Sequence, residues 1–305
     1  MTSPYCHPLF AEAHRHLGVP VAMSASGSYA YLRSLPDAAG LDASALYPIW
    51  VMQAPEQLAT DFSALTNAGA ISFVGVCALQ SNAAMAALAS QADVWQAFKP
   101  HYLFDNRLPF QFSKHHRYEL KRANKSVSVH WSTLTPVLDK WLAMYGQLAV
   151  RHQLSALHQF PRAYFECLSQ VPGLEVVIAA TDNEPVSMHL WFDDGEILWS
   201  HLAASSEQGY ALSAAYAVNA AALDRYGSTR LINFGGTAGI AGSESDGLAR
   251  FKQGFSNRSE TSWLFGKILD PQEYRRRTAE LAPSRYFPRY RQPAATVKTE
   301  TRTTT

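Results

Sequence analysis

The chain is poor in charge, in cysteine and in long apolar runs, and each shortage excludes a class of protein. Only 17% of its 305 residues are charged, and the formal net charge is +1 at pH 7. Nucleic acid, DNA in particular, is therefore not expected as the main partner, although a local basic patch can act where the overall charge does not. The three cysteines, Cys6, Cys77 and Cys167, are far apart, odd in number and never in a Cys-x-x-Cys pair. That pattern argues against a disulfide framework and a structural zinc site. Cys77 falls in an apolar run and reads as a small buried hydrophobe. The N-terminus has no basic region followed by an apolar run, so no signal peptide is read there. No apolar stretch approaches the ~20 residues needed to cross a bilayer. Together these absences predict a cytoplasmic protein with reduced thiols and no membrane span.

What the chain does have is apolar mass. Hydrophobic residues make up 47% of it, enough for a large core in one or two domains. Residues 1–110 read as a mixed α/β unit. Helices are expected at 9–17 and 55–67, strands at 19–23, 28–32, 47–52 and 71–79, and an alanine-rich helix to residue 89 capped by Ser81. Residues 98–105 read as extended. Residues 111–275 read as a second unit that opens on a basic helix at 112–125. Strand 126–131 alternates, with Val127, Val129 and Trp131 on one face. A helix follows to His152, with Pro136 in its first turn, and another at 160–170, stopped by Pro172-Gly173. Strands 174–180, 185–192 and 196–203 are joined as hairpins by Asp182-Asn183 and Asp193-Asp194-Gly195. Helix 209–226, strand 230–234, helix 246–254 and strand 261–269 complete the unit. Residues 276–305 are set apart as a charged terminal helix begun at Pro271 and a disordered polar tail after Pro293.

Chemistry concentrates between Asn233 and Phe255, where a strand runs into a glycine-rich loop and then a segment carrying Lys252. Glycine lets backbone approach a ligand closely. Gly235 and Gly236 are therefore candidates for donor contact, and Lys252 for contact with negative charge. The loop lacks the Gly-Lys-Ser/Thr ending of a nucleotide phosphate loop. A second candidate is the helix start at Gly209-Tyr210-Ala211, where free N–H groups suit a pyrophosphate. It fits the end of the acyl-coenzyme A signature Gln/Arg-x-x-Gly-x-Gly/Ala, but Ser206 stands at the Gln/Arg position. His201, near the end of its strand, is the candidate proton acceptor. His189 and His201 on one hairpin raise the thought of metal, but no third ligand supports it, and none is expected. Lys114, Arg117, Lys121 and Lys125 form a cationic helical stripe, and with His116 they are candidates to hold phosphate. Tyr216 and Asn219 share a helix face and, with Arg250, complete the candidate substrate contacts.

From Ser126 onward the order is β-α-α-β-β-β-α-β-α-β, the order of the general N-acetyltransferase (GNAT) fold. The chain also resembles BioF-type acetyltransferase-domain proteins of that superfamily, close to the FemABX peptidyltransferases. The resemblance rests on Lys114-His115-His116-Arg117-Tyr118-Glu119-Leu120-Lys121-Arg122-Ala123, Arg151-His152, Val171-Pro172-Gly173, His189-Leu190-Trp191, His201-Leu202, Gly209-Tyr210 and Phe234-Gly235-Gly236. It rests above all on Asp246-Gly247-Leu248-x-Arg250-Phe251-Lys252-x-Gly254-Phe255. It spans residues 98–274. It implies an α/β fold of two tandem GNAT-like halves, the first degenerate, and acyl transfer to an amine or hydroxyl. In FemABX enzymes the lysine of the Phe-Lys element is thought to stabilise the tetrahedral intermediate, so that role is implied for Lys252. The implied co-substrate is acyl-coenzyme A, acyl carrier protein or another phosphate-bearing acyl donor, with no permanently bound cofactor. The implied acceptor is a small molecule or peptide. Two alternatives stand beside this reading. One is an aminoacyl-tRNA-dependent FemABX-type transferase, although the coiled-coil arm some of those enzymes use for tRNA is absent. The other is a non-catalytic binding protein that kept the fold.

Overall fold

The structure is a computed structural model and describes residues 3–237 and 247–293. The first half holds α1 (Pro8–Ala13), β1 (Val19–Met23), β2 (Ser28–Ser34), β3 (Leu41–Ala45), α2 (Leu58–Asn67), β4 (Ala70–Cys77), α3 (Asn82–Gln91) and β5 (Val94–Phe104). The second begins with α4 (Lys114–Ala123), β6 (Ser128–Ser132), α5 (Leu138–Arg151), α6 (Arg162–Leu168), β7 (Leu174–Thr181), β8 (Glu184–Asp193) and β9 (Ile197–Ser205). It continues with α7 (Glu207–Ala211), α8 (Ala214–Tyr226), β10 (Leu231–Asn233), α9 (Gly247–Gln253), β11 (Arg258–Ile268) and α10 (Pro271–Thr278).

Local chemistry explains many boundaries. Ser81, Ser113, Ser206 and Asp270 each accept an N–H of the first turn they precede, so α3, α4, α7 and α10 start there. Asp182 and Asn183, at φ 49° and 64°, supply the left-handed pair that a tight β7–β8 turn demands. Two expectations need correction. Residues 47–52 form no strand, because Pro48 has no N–H to give a ladder; the strand is β3, whose Leu-Asp-Ala-Ser-Ala sequence has little strand character. The helix expected at 209–226 is two helices, broken where Ser213 turns left-handed at φ 58°. Asp246, the expected start of the next helix, and the tail after Pro293 lie outside the described residues.

The described strands form one sheet in the order β1-β2-β3-β4-β11-β5-β10-β9-β8-β7-β6. β3 runs parallel to β4, and β9 parallel to β10. The other neighbours are antiparallel. β11 lies between β4 and β5, and β5 lies between β11 and β10. Each half thus lends its last strand to the other. The run β2-β3-β4-β11-β5 repeats in the run β8-β9-β10-β5-β11, with the parallel pair in the same place.

Alternation along the strands sends side chains to two faces. On β7, Val176 and Ile178 pack with Phe10, Trp141 and Phe165 of α1, α5 and α6. Val177 and Ala179 pack with Val218 and Ala222 of α8, against which Phe251 of α9 also rests. The faces are called here the α1 face and the α8 face.

The two parallel pairs differ in one respect that matters. After β3 the chain stays on β4: the Trp50 N–H donates to the Val76 carbonyl at 2.6 Å. The Trp50 indole fills the space between Phe73 and Phe265 and against Gly75. In the second half β9 instead stays on β8 beyond its short pairing with β10.

Candidate functional site

β10 follows β9 only from Leu231 opposite Ile197 to Asn233 opposite Trp199. Past that point β9 continues on β8 as far as Ser205. The chain after β10 turns instead to β5: the Phe234 N–H donates to the Tyr102 carbonyl, and the Tyr102 N–H to the Gly235 carbonyl. The two parallel strands therefore splay apart. At the root of the splay β9 carries a bulge, with Ser200 opposite Trp191, Leu202 opposite Leu190, and His201 between them without a cross-strand partner.

The loop at the mouth is held by its own sequence. The Asn233 carboxamide oxygen accepts the Gly235 N–H at 2.8 Å, and Gly235 takes φ 75°, a left-handed value that suits glycine. A Cβ on Gly236 would press on the Pro100 carbonyl and the His101 ring, so the absence of a side chain lets the loop lie on β5. The Lys252 ammonium donates to the Gly236 carbonyl at 2.5 Å. The Lys99 ammonium donates to the next carbonyl, Thr237, at 3.1 Å. Two cations from different parts of the chain thus meet at consecutive peptide groups.

Two histidines stand within the field of Lys252. His101 is partly exposed on β5, and its Nδ1 accepts from the Asn233 amide at 3.1 Å. Burial first, then Lys252 and Lys99, push its pKa down to about 4. The ring is therefore neutral near pH 7 and carries its proton on Nε2. His189 is only 3% exposed and lies tilted against Trp191 on the α8 face. Its Nε2 is 2.8 Å from Ser200 Oγ, and its Nδ1 has no hydrogen-bond partner. Burial and then Lys252 lower its pKa to about 3. The root of the splay therefore offers Ser200 and a neutral imidazole, and its mouth offers cations.

α9 is aimed by the Phe-Lys-x-Gly-Phe element. Phe251 and Phe255 pack against Tyr216, which turns the intervening Lys252 to the loop. His116 fastens the helix from α4. Its Nε2–H donates to the Phe251 carbonyl at 3.0 Å, and its Nδ1 accepts from Ser113 Oγ at 3.1 Å. A Cβ on Gly254 would overlap that ring, so glycine is required there.

Several expected site residues are placed otherwise. His201 faces α1 and α6, packed among Tyr5, Phe10, Tyr164 and Phe192. Tyr164 Oη lies 2.8 Å from its Nε2 and Tyr5 Oη 3.5 Å from its Nδ1, and burial pushes its pKa down to about 3. Its imidazole is on the face opposite α9 and His189, which removes both the proton-acceptor role and a shared metal. His116 is buried with both ring nitrogens engaged, so it braces α9 rather than touching substrate. Asn219 is buried and bonds its own helix at the Ala215 carbonyl. The Gly209 N–H donates to Ser206 Oγ at 3.1 Å and the Tyr210 N–H to the Ser206 carbonyl at 3.0 Å, so neither is left for a pyrophosphate. A Cβ on Gly209 would overlap the Val186 carbonyl, so that glycine serves packing. Arg151 lies over the exposed Tyr210 ring at 4.5 Å. Lys252, Gly235 and Gly236 come together as expected. Tyr216 lines the same aromatic cluster, its hydroxyl 3.2 Å from His115 Nε2. Lys121 and Arg250 are exposed, and Arg117, also exposed, donates to the Phe112 carbonyl at 2.6 Å. Lys99 and His101 carry no local signal, because only the strand exchange brings β5 to the splay, and Ser200 gains its place only when β8 and β9 pair and set it beside His189.

No family model and no curated protein matches the sequence. Solved structures do match. FemX superposes with TM-score 0.62 at 12% identity, over 88% of this chain and 92% of its own. A conserved protein of unknown function from Bacteroides thetaiotaomicron gives 0.60 at 15%, over 88% and 92%. L-PGS from Bacillus licheniformis gives 0.53 at 14%, over 88% and 94%. At these identities the likeness is one of fold. The chain has a fold like that of FemX, built as two halves of the same strand order joined in one sheet.

Proposed function

We propose that the protein is an acyltransferase, and that it moves an acyl group from an activated donor to an amine or hydroxyl in the β9–β10 splay. The observation that carries this reading is Lys252, held by the Gly236 carbonyl at the mouth of the splay. The nucleophile's lone pair attacks the donor carbonyl carbon, and the π pair moves to oxygen. The Lys252 ammonium faces that oxyanion, where a positioned cation lowers the barrier. The tetrahedral centre then collapses and expels the thiolate or alkoxide of the donor. The proton released by the nucleophile passes to the departing group, directly or through water.

A second reading concerns the donor. The α7 start keeps its Gly209 and Tyr210 N–H groups for Ser206. With Ser206 also standing where the acyl-coenzyme A signature has Gln or Arg, this turn weighs toward a donor gripped elsewhere, such as aminoacyl-tRNA, over acyl-coenzyme A. The exposed cations Lys114, Arg117, Lys121 and Lys125 on and beside α4 suit a phosphate backbone.

The test is a panel of acyl-coenzyme A, acyl carrier protein and aminoacyl-tRNA donors with mixed amine acceptors. Lys252→Ala is expected to lower kcat by about 10²–10³-fold, the usual loss for one oxyanion donor. Unchanged turnover in the folded variant sinks the role of Lys252, and inactivity with every donor favours a binding protein.

A further inference from the structure

Lys99 has no part in the bond-making described above, yet its charge is half-buried. It stands on a central strand, and burial lowers its pKa. Its ammonium donates to the neutral Thr237 carbonyl, and its backbone N–H and carbonyl are both tied to Ser262 Oγ. Glu260, which stands opposite His101 on β11, is paired with Arg258. This half-buried ammonium has a neutral carbonyl and the Phe98 ring, 5.0 Å from its nitrogen, as described contacts, and no described carboxylate balances its charge.

The surroundings place it at the seam between the halves. Lys99 and His101 pair across β5 with Ser262 and Glu260. His101 bonds Asn233, the neighbour of Trp199, whose ring lies in the α1-face core. Lys99 and His101 therefore project to the α1 face, whereas α9 lies on the α8 face. The field of Lys99 also reaches His158, which packs on Tyr47 of the first half. Lys252 joins this group from the other face through the splay, one peptide away along the loop.

We infer that Lys99 is a specificity-determining residue: it holds an anionic group, phosphate or carboxylate, of the acceptor substrate on the α1 face. The inference rests on the acyl-transfer reading and deepens it. The acceptor enters on the α1 face, its anion sits on Lys99 beside the Nε2–H of His101, and its nucleophile points through the splay to Lys252. The donor occupies the α8 face. The cations then divide the work, Lys99 binding a charge present throughout and Lys252 a charge that forms in the reaction.

Binding without turnover tests this. Calorimetry with pyrophosphate and with malonate would be run on the full chain as wild type, Lys99→Met, Lys99→Arg and Lys121→Ala. Wild type is expected to bind at least one anion. Lys99→Met is expected to weaken it by about 10–100-fold, the worth of a charged hydrogen bond, with Lys99→Arg restoring most of it. Preference for pyrophosphate identifies a phosphate ester, and preference for malonate a carboxylate. The inference is overturned if wild type binds neither anion, if Lys99→Met binds as wild type does, or if only Lys121→Ala loses binding. Thermal unfolding of each variant without ligand separates a lost site from a lost fold. Loss of turnover in Lys252→Ala with anion binding intact keeps the two readings distinguishable.

Discussion

At the scale of single residues, glycine and histidine carry the most consequence. Gly254 exists so that the His116 ring can lie against α9, and His116 in turn holds the Phe251 carbonyl. Gly254→Ala is expected to cost about 1–3 kcal/mol, because a ring fixed at both nitrogens cannot move aside freely. Chemical denaturation checks it, and the same substitution in a His116→Ala background should cost clearly less. Lys252 was legible in the sequence because a lysine flanked by phenylalanines and glycine is unusual chemistry in a short span. His201 was legible as a strand histidine but not as a core one. Alternation sets His201 on the face of Trp199, but that α1 and α6 fill this face is decided by tertiary packing, which no spacing discloses. Lys99 and His101 gave no local signal, since strand alternation around them is unremarkable and their partners come from β10 and the loop after it.

At the scale of elements, the second half was largely readable because caps, turns and apolar periods agree with one another there. β3 was not, as its alanine, serine and aspartate residues resemble a loop. Its Asp42 shows why it pairs at all. The fully buried carboxylate accepts from Arg33 Nε at 2.7 Å, from Arg291 Nε at 2.5 Å and from Tyr290 Oη at 3.2 Å. It ties the segment after α10 back to the first half. Asp42→Ala is expected to destabilise by about 3–5 kcal/mol, because two arginines lose their counter-charge in a nearly dry place. Arg291→Ala should cost less, since Arg33 still balances the carboxylate. Urea melts of both variants check the ranking, and equal losses would refute it.

At the scale of the whole molecule, the fold keeps four histidines neutral. Burial is the main cause in each, lowering the pKa of His14 and His101 to about 4 and of His189 and His201 to about 3. The unfolded chain protonates them near their ordinary value of about 6.5. Below that pH the unfolded state binds more protons, so stability falls as pH falls, and the loss levels off only near the folded values. Each histidine contributes up to about 1.4 kcal/mol per pH unit in that window. Unfolding is therefore expected between about pH 6 and 4, before most carboxylates titrate. Circular dichroism against pH checks it. A Tm flat from pH 7 to 4.5 would contradict the buried-neutral assignment.

The sequence by itself determined the elements of the second half, the β-α order, the loop glycines and Lys252, because capping, turn geometry and apolar period are local physics. The tertiary structure decided which strand ends beside which. Exchange of β5 and β11 between the halves is a long-range choice, made by the burial of both sheet faces at once, and no window of sequence contains it. That exchange carries Lys99 and His101 to the loop of Lys252. It therefore sets the charge of the candidate site, which the local sequence leaves open.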